Sequence, residues 1–143
     1  MDNIQNLFTM NLDSVDIRRP VLKPGPTDFI VAECKVEDTE KGTQKLVVVL
    51  KTEFATTTRD GQPINPGFTI TTNIGITPTE KYSSERVVQE VTKFQRACGR
   101  SGAFGDPSSY INAKLQANVG IEVDAEGRYD DKNVVKFIPR RTA

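Results

Sequence analysis

The apolar run LVVVL, residues 46–50, constrains the fold of this chain more than any other stretch. Five residues are too few to cross a membrane, which takes about 20. The run is rich in β-branched residues, so it predicts a strand with both faces occupied. Because side chains alternate along a strand, Val47 and Val49 share a face with the flanking Lys45 and Lys51. This pattern predicts a sheet surface that meets an anionic partner.

Strand-like alternation recurs on both sides of this central run. The five predicted strands cover residues 27–36, 44–54, 68–76, 114–123 and 133–139. In the first of them, strict alternation places Cys34 on the apolar face and Phe29 with Lys35 on the opposite face. Turn signals such as Asp60-Gly61 separate the strands. The chain is therefore predicted to be mainly β.

One segment has helical rather than strand-like spacing. Its apolar stripe consists of Val87, Val91, Phe94 and Cys98, with Val88 widening it. Two N-terminal signals compete: a capping box, T-P-T-E at residues 77–80, and the serine pair at residues 83–84. The glycine at position 99 is a typical C-terminal cap. These signals predict a helix over about residues 83–98.

Composition excludes several classes of function. The chain has 143 residues, enough for one domain, with 19 basic and 19 acidic residues and neither His nor Trp. Without His, and with Cys34 and Cys98 far apart in sequence, no catalytic or metal-binding set is evident. We therefore expect no enzyme activity, no metal and no cofactor. The N-terminus does not look like a signal peptide, and we expect a cytoplasmic protein without a membrane partner.

Three parts are predicted along the chain. Residues 1–26 form an N-terminal arm, because three prolines between positions 20 and 26 exclude a helix and a central strand. The basic residues Arg18 and Arg19 suit a solvated lead-in and a phosphate-contacting arm about equally. Residues 27–139 form the folded domain, and residues 140–143 form a short basic tail.

The order of the predicted elements suggests a specific architecture. Three strands, one helix and two strands follow one another, β-β-β-α-β-β. This order matches the OB-fold, a five-stranded Greek-key barrel that binds oligonucleotides. We therefore predict an OB-fold barrel with one capping helix and an extended N-terminal arm.

Four segments carry a resemblance to a known family. They are RRPVLKPGPTDFIV, KLVVVLKTEF, FQRACG and NVVKFIP, and they span residues 18–139. In order and spacing they resemble the small OB-fold single-stranded DNA-binding proteins of bacteriophages. The resemblance implies a protein that coats and protects single strands during DNA replication or recombination, in the cytoplasm of the host cell. It also implies replication or recombination proteins as further partners.

The chain departs from related cellular proteins at two points. Those proteins recruit partners through a flexible acidic tail, whereas this sequence ends in PRRTA. It also lacks Trp, which such proteins often use for stacking on bases. Any partner recruitment would therefore take another route, and the sequence leaves open whether the protein forms a homo-oligomer.

Single-strand binding needs cations for the phosphates and flat rings for the bases. The residues predicted to bind nucleic acid are Phe29, Lys35, Lys45, Lys51, Phe54, Arg59, Thr69, Thr71, Tyr110, Arg128, Tyr129 and Lys132. Any one of these cations alone is better explained as a solvated surface charge, so the prediction depends on their grouping. The two threonines are equally well explained as ordinary outward positions of a half-buried strand.

Two other hypotheses remain open at this stage. A β-barrel interaction or assembly module without nucleic-acid binding is favoured by the balanced charge and the missing Trp. The other is an RNA-binding OB protein, because nothing in the sequence distinguishes binding of ribose from binding of deoxyribose.

Overall fold

The computed structural model describes Thr9, Asn11, Asp13 and residues 20–127 and 130–140. The regular elements are β1 (Gly25–Asp38), β2 (Gln44–Thr52), β3 (Thr56–Thr57), β4 (Pro63–Ile64), β5 (Thr69–Gly75), α1 (Ser84–Ala97), a 3₁₀ helix (Pro107–Tyr110), β6 (Lys114–Glu122) and β7 (Lys132–Phe137). The mainly β prediction is confirmed, and each of the five predicted strands corresponds to a long strand of the structure. The small β3–β4 hairpin lies within the segment between β2 and β5, which the sequence presents as a loop.

The five long strands form one antiparallel sheet in the order β5-β2-β1-β6-β7. β1 is central and pairs with β2 on one side and with β6 on the other. Among the described residues no hydrogen-bonded pairing joins the edge strands β5 and β7, so the sheet is not closed into a barrel. The two edge strands nevertheless approach each other, leaving a seam between them.

A bulge in β1 reverses the alternation predicted for this strand. The pairing of β1 with β2 shifts register between Val31 and Glu33. Before the shift Phe29 and Val31 are fully buried, and after it Cys34 is buried. A one-residue insertion moves all later side chains to the opposite face. The prediction that Phe29 and Cys34 lie on opposite faces is therefore wrong, because strict alternation does not hold across the bulge.

The core lies between one face of the sheet and α1 with the 3₁₀ helix. Leu46, Val48 and Leu50 of β2 face it, as the sequence predicts. An aromatic cluster fills its centre, where the fully buried ring of Phe94 lies 5.4 Å from Tyr110 between ring centroids. Burying a ring of this size contributes about 1.5–3 kcal/mol. This cluster ties the helix to one face of the sheet, and on the opposite face Val47 is buried while Thr71 and Asn73 are exposed.

The helix α1 begins at the second of its two predicted start signals. Ser83 is the N-cap, and its side chain accepts a hydrogen bond from the Arg86 N–H at 3.2 Å. Gly99 follows the helix with a φ of 75°, the left-handed conformation that glycine adopts without a steric penalty. The prediction that Val88 widens the apolar stripe is wrong, because its side chain is 63% exposed.

The described end of the N-terminal arm packs on the domain. Val21 and Leu22 are buried, and Leu22 belongs to the main core. The Leu22 N–H donates to Asn133 Oδ1 at 2.7 Å, and Asn133 Nδ2 donates to the Leu22 carbonyl at 3.1 Å. These bonds fix the arm beside β7. The predicted phosphate contacts of Arg18 and Arg19 fall outside the described residues.

Candidate nucleic-acid interface

The outward face of β2 and β5 carries two of the predicted cations. Four cross-strand pairs build this surface, which we call the lysine face: Lys45 with Gly75, Val47 with Asn73, Val49 with Thr71, and Lys51 with Thr69. Strict alternation holds along both strands, so the sequence placed Lys45 and Lys51 on one face correctly. The two lysines are six positions apart, about 20 Å at a rise of about 3.3 Å per residue.

The lysine face contains no carboxylate. Neither β2 nor β5 includes an acidic residue, and within the described part of the chain neither Lys45 nor Lys51 forms an ion pair. Thr71 and Asn73 add exposed hydroxyl and amide groups between the lysines. The face can therefore attract a chain of anions and offer it hydrogen bonds along its length.

The outward side of the neighbouring strand β1 carries carboxylates, unlike the lysine face. Glu33 and Glu37 alternate there with Lys35, which forms an ion pair with Glu37 at 3.2 Å. Glu37 is also the register partner of Lys45. The predicted cation Lys35 is thus engaged by a carboxylate, and the lysine face ends at the boundary between β2 and β1.

Of the predicted stacking rings, the structure exposes Phe54 and buries two others. Phe54 lies two residues beyond the end of β2 and is 60% exposed. Phe29 is in the core because of the β1 bulge. Tyr110 is also fully buried, stacked on Phe104 at 4.4 Å between centroids, with its hydroxyl donating to the Phe104 carbonyl at 3.0 Å. The predictions that Phe29 and Tyr110 offer rings to bases are therefore wrong.

Two further predicted cations, Arg59 and Lys132, lie near the seam between β5 and β7. Arg59 forms an ion pair with Asp131 at 2.5 Å, and Lys132 lies 3.8 Å from Glu122. A cleft of about 340 Å³ opens beside them, lined in part by residues 68–71 and 130–133. Thr69 and Thr71 of the lysine face also line this cleft, but Arg59 and Lys132 each face a carboxylate, unlike Lys45 and Lys51 among the described residues. The predicted contacts Arg128 and Tyr129 lie outside the described residues.

One ring beside the lysine face was not identified from the sequence. Tyr82 is half-buried, and its Cε1 lies 3.9 Å from the position that a Cβ on Gly75 would occupy. Tyr82 precedes α1 in a connection without regular spacing, so no periodic pattern relates it to β5. The glycine inside a predicted strand was the available signal, since such glycines often mark a close approach of another group.

Two thiols and one phenol in or against the core have displaced pKa values. Burial raises the pKa of Cys34 to about 11 and that of Cys98 to about 12. Burial also raises the pKa of the Tyr110 phenol. In the described part of the chain no three His, Cys, Asp or Glu residues are grouped to hold a metal ion. No described helix is long and apolar enough to cross a membrane.

Comparisons with known proteins leave the family open. No protein-family model matches the chain, and a search of the curated proteins finds none that matches it. The case for a function therefore depends on the lysine face and its surroundings.

Proposed function

We propose that this protein binds single-stranded DNA without sequence preference, with the strand lying along the lysine face of β2 and β5. In this role it would coat and protect single strands during DNA replication or recombination. The observation that carries the proposal is the lysine face itself. It has near each end a lysine that forms no ion pair with the described residues, it carries Thr71 and Asn73 beside two valines between them, and it includes no carboxylate.

The topology of the sheet supports an OB-fold, which is part of the proposal. The strand order β5-β2-β1-β6-β7, with α1 between β5 and β6 along the chain, is the order of a five-stranded barrel opened at one seam. OB-folds are partly open barrels and bind oligonucleotides across their second and third strands. Among the five long strands of this sheet, those two are β2 and β5.

The chemistry of the lysine face favours binding without sequence preference. Lysines contact phosphates as point charges, and such contacts fix the position of a nucleic acid but carry no base identity. Unpaired bases then stack on exposed rings, which accept every base because each base has a π-face. Phe54 supplies such a ring beyond Lys51. The zero net charge of the chain does not oppose this function, because the carboxylates lie outside the lysine face.

The first test is fluorescence anisotropy with a labelled oligo-dT of about 30 nucleotides, comparable to a few OB-fold sites. We expect binding at low salt that weakens steeply as salt rises, because phosphate neutralisation releases counterions. A duplex of matched length is the control and should bind more weakly. Absence of binding to oligo-dT at low salt would refute the proposal and favour a protein-interaction module.

A charge-matched pair of variants then tests the placement. Lys45→Gln with Lys51→Gln removes both charges from the lysine face, while Lys93→Gln with Arg96→Gln removes two charges from exposed positions of α1. Each lost phosphate contact lowers the salt slope by about 0.7 for single strands. The first double variant should therefore lose about 1.4 from the slope, and the second should keep the wild-type slope. Equal slopes for the two variants would refute the lysine face as the site.

A further inference from the structure

Tyr82 lies at one end of the lysine face. The Cβ position of Gly75 points outward, as the side chains of Thr71 and Asn73 do, and the Tyr82 ring is in contact distance of it. Gly75 pairs with Lys45. The ring therefore lies beside the outward surface of the sheet, next to the lysine at that end.

The structure holds this ring in place before any ligand binds. Thr79 and Tyr82 exchange two backbone hydrogen bonds, at 2.8 and 3.2 Å, and Ser83 caps α1 immediately afterwards. The guanidinium carbon of Arg86 lies 5.0 Å from the centroid of the Tyr82 ring, within the range of a cation–π contact. A side chain that is already ordered costs less entropy when it binds a partner.

The ring retains room for a further partner. Tyr82 is half-buried, and no second aromatic ring or guanidinium contacts it within the described part of the chain. Phe54 lies beyond the opposite end of β2. A single strand that runs along the lysine face would thus meet the Tyr82 ring beside Lys45, while Phe54 is an exposed ring three residues beyond Lys51 in sequence.

We propose that Tyr82, backed by Arg86, stacks on one unpaired base and defines the Lys45 end of the binding site. This inference rests on the proposed function and adds a specific residue to it. Tyrosine rings and arginine guanidinium planes are both used to stack on bases splayed from a single strand. A Cβ at position 75 would lie 3.9 Å from Cε1 of the ring, an ordinary van der Waals contact, so the ring lies close over this end of β5.

A purely structural role for the same ring makes a different prediction. An aromatic side chain that covers a strand glycine stabilises the sheet without binding anything. In that case Tyr82→Ala would lower the thermal stability, and the folded variant would bind oligo-dT as the wild type does. The experiment therefore needs a readout at position 82 itself.

Tyr82→Trp supplies that readout, because the chain has no other Trp. We expect its emission to fall as oligo-dT is added at low salt and to saturate together with the anisotropy signal. Val88→Trp is the matched control, since Val88 is 63% exposed on α1 and does not face the sheet core. The emission of this control should stay constant during the same titration.

Affinities complete the test. Tyr82→Ala should weaken oligo-dT binding by between about fivefold and about 150-fold, the range for losing one stacked base. Tyr82→Phe should bind within about twofold of the wild type, because stacking does not need the hydroxyl. Unchanged Tyr82→Trp emission on a strand that anisotropy shows to be bound would overturn the stacking role alone. A wild-type protein that binds no oligo-dT would instead overturn the proposed function and this inference with it.

Discussion

Asn133 connects three separate segments of the domain through one side chain. It accepts a hydrogen bond from the Leu22 N–H at 2.7 Å and donates to the carbonyls of Leu22 and Gly120 at 3.1 and 3.2 Å. Leu22 is only 1% exposed. Asn133→Ala would remove all three bonds and leave the N–H and carbonyl of the buried Leu22 without these partners. We expect this variant to loosen the attachment of the arm to β6 and β7.

The expected magnitude follows from the hydrogen bonds lost. Each intramolecular hydrogen bond contributes about 0.5–1.5 kcal/mol, and a buried polar group left unpaired costs about 1–3 kcal/mol. Asn133 is half-buried, so we take the lower part of these ranges and expect a loss of about 2–3 kcal/mol in the free energy of unfolding. That is a large fraction of the roughly 5–15 kcal/mol that stabilises a typical domain.

Urea unfolding followed by circular dichroism measures this loss. With a slope of about 1.5 kcal/mol per molar urea, the midpoint should fall by about 1.3–2 M. Asn118→Ala is the matched control, because Asn118 is exposed on β6 and its side chain makes no hydrogen bond in the described part of the chain. Midpoints for the two variants that differ by less than about 0.3 M would refute the reasoning, since that difference corresponds to about 0.5 kcal/mol.

Two further predictions concern stability: one compares a buried with an exposed phenylalanine, and the other follows the buried thiols as the pH rises. Phe29→Ala should destabilise the protein by about 3–5 kcal/mol in urea unfolding. Phe54→Ala should change stability by less than about 0.5 kcal/mol and weaken oligo-dT binding instead. Similar losses of stability in the two variants would contradict the burial assigned to the two rings. The thiols of Cys34 and Cys98 keep their protons in the folded protein to about pH 11 and 12, above the ordinary value of 9.0. Their contribution to stability should therefore be complete below about pH 9 and be lost as the pH rises towards 11–12, so the urea midpoint should fall less steeply with pH in the double Cys→Ala variant than in the wild type.

Strands and the helix could be predicted from the sequence wherever one side-chain periodicity holds along the whole element. Along β2 the alternation is unbroken, so the positions of Lys45 and Lys51 followed from the two residues' spacing alone. The helix was predictable for the same reason, although its two possible starts could be told apart only in the structure, where Ser83 caps it. Local periodicity thus specified the sheet face that the proposed function uses.

The wrong predictions for Phe29 and Tyr110 arise because contacts outside a strand's or loop's own sequence pattern decide whether these side chains are buried. No residue type marks the β1 bulge, because the shift near Val31 depends on how β1 pairs with its neighbours, and it moves Phe29 into the core. Tyr110 follows a Gly- and Ser-rich segment that predicts an exposed loop. Its ring is buried because it packs on Phe94 of α1 and because Phe104 and Arg100 of this same segment fold over it. Neither the bulge in β1 nor the burial of Tyr110 can be inferred from a periodic pattern.

The pairing of charges explains why the predicted cations did not form one group. Lys35, Arg59 and Lys132 each face a carboxylate, and the partners of Arg59 and Lys132 come from distant or opposing segments. Lys45 and Lys51 form no ion pair with the described residues, because β2 and β5 lack acidic residues and Glu37, the β1 neighbour of Lys45, pairs with Lys35 instead. A chain with equal numbers of acidic and basic residues can therefore still present a cationic surface, provided that its carboxylates are placed on other strands. The absence of acids from β2 and β5, rather than the number of lysines, is what makes this surface suitable for an anionic strand.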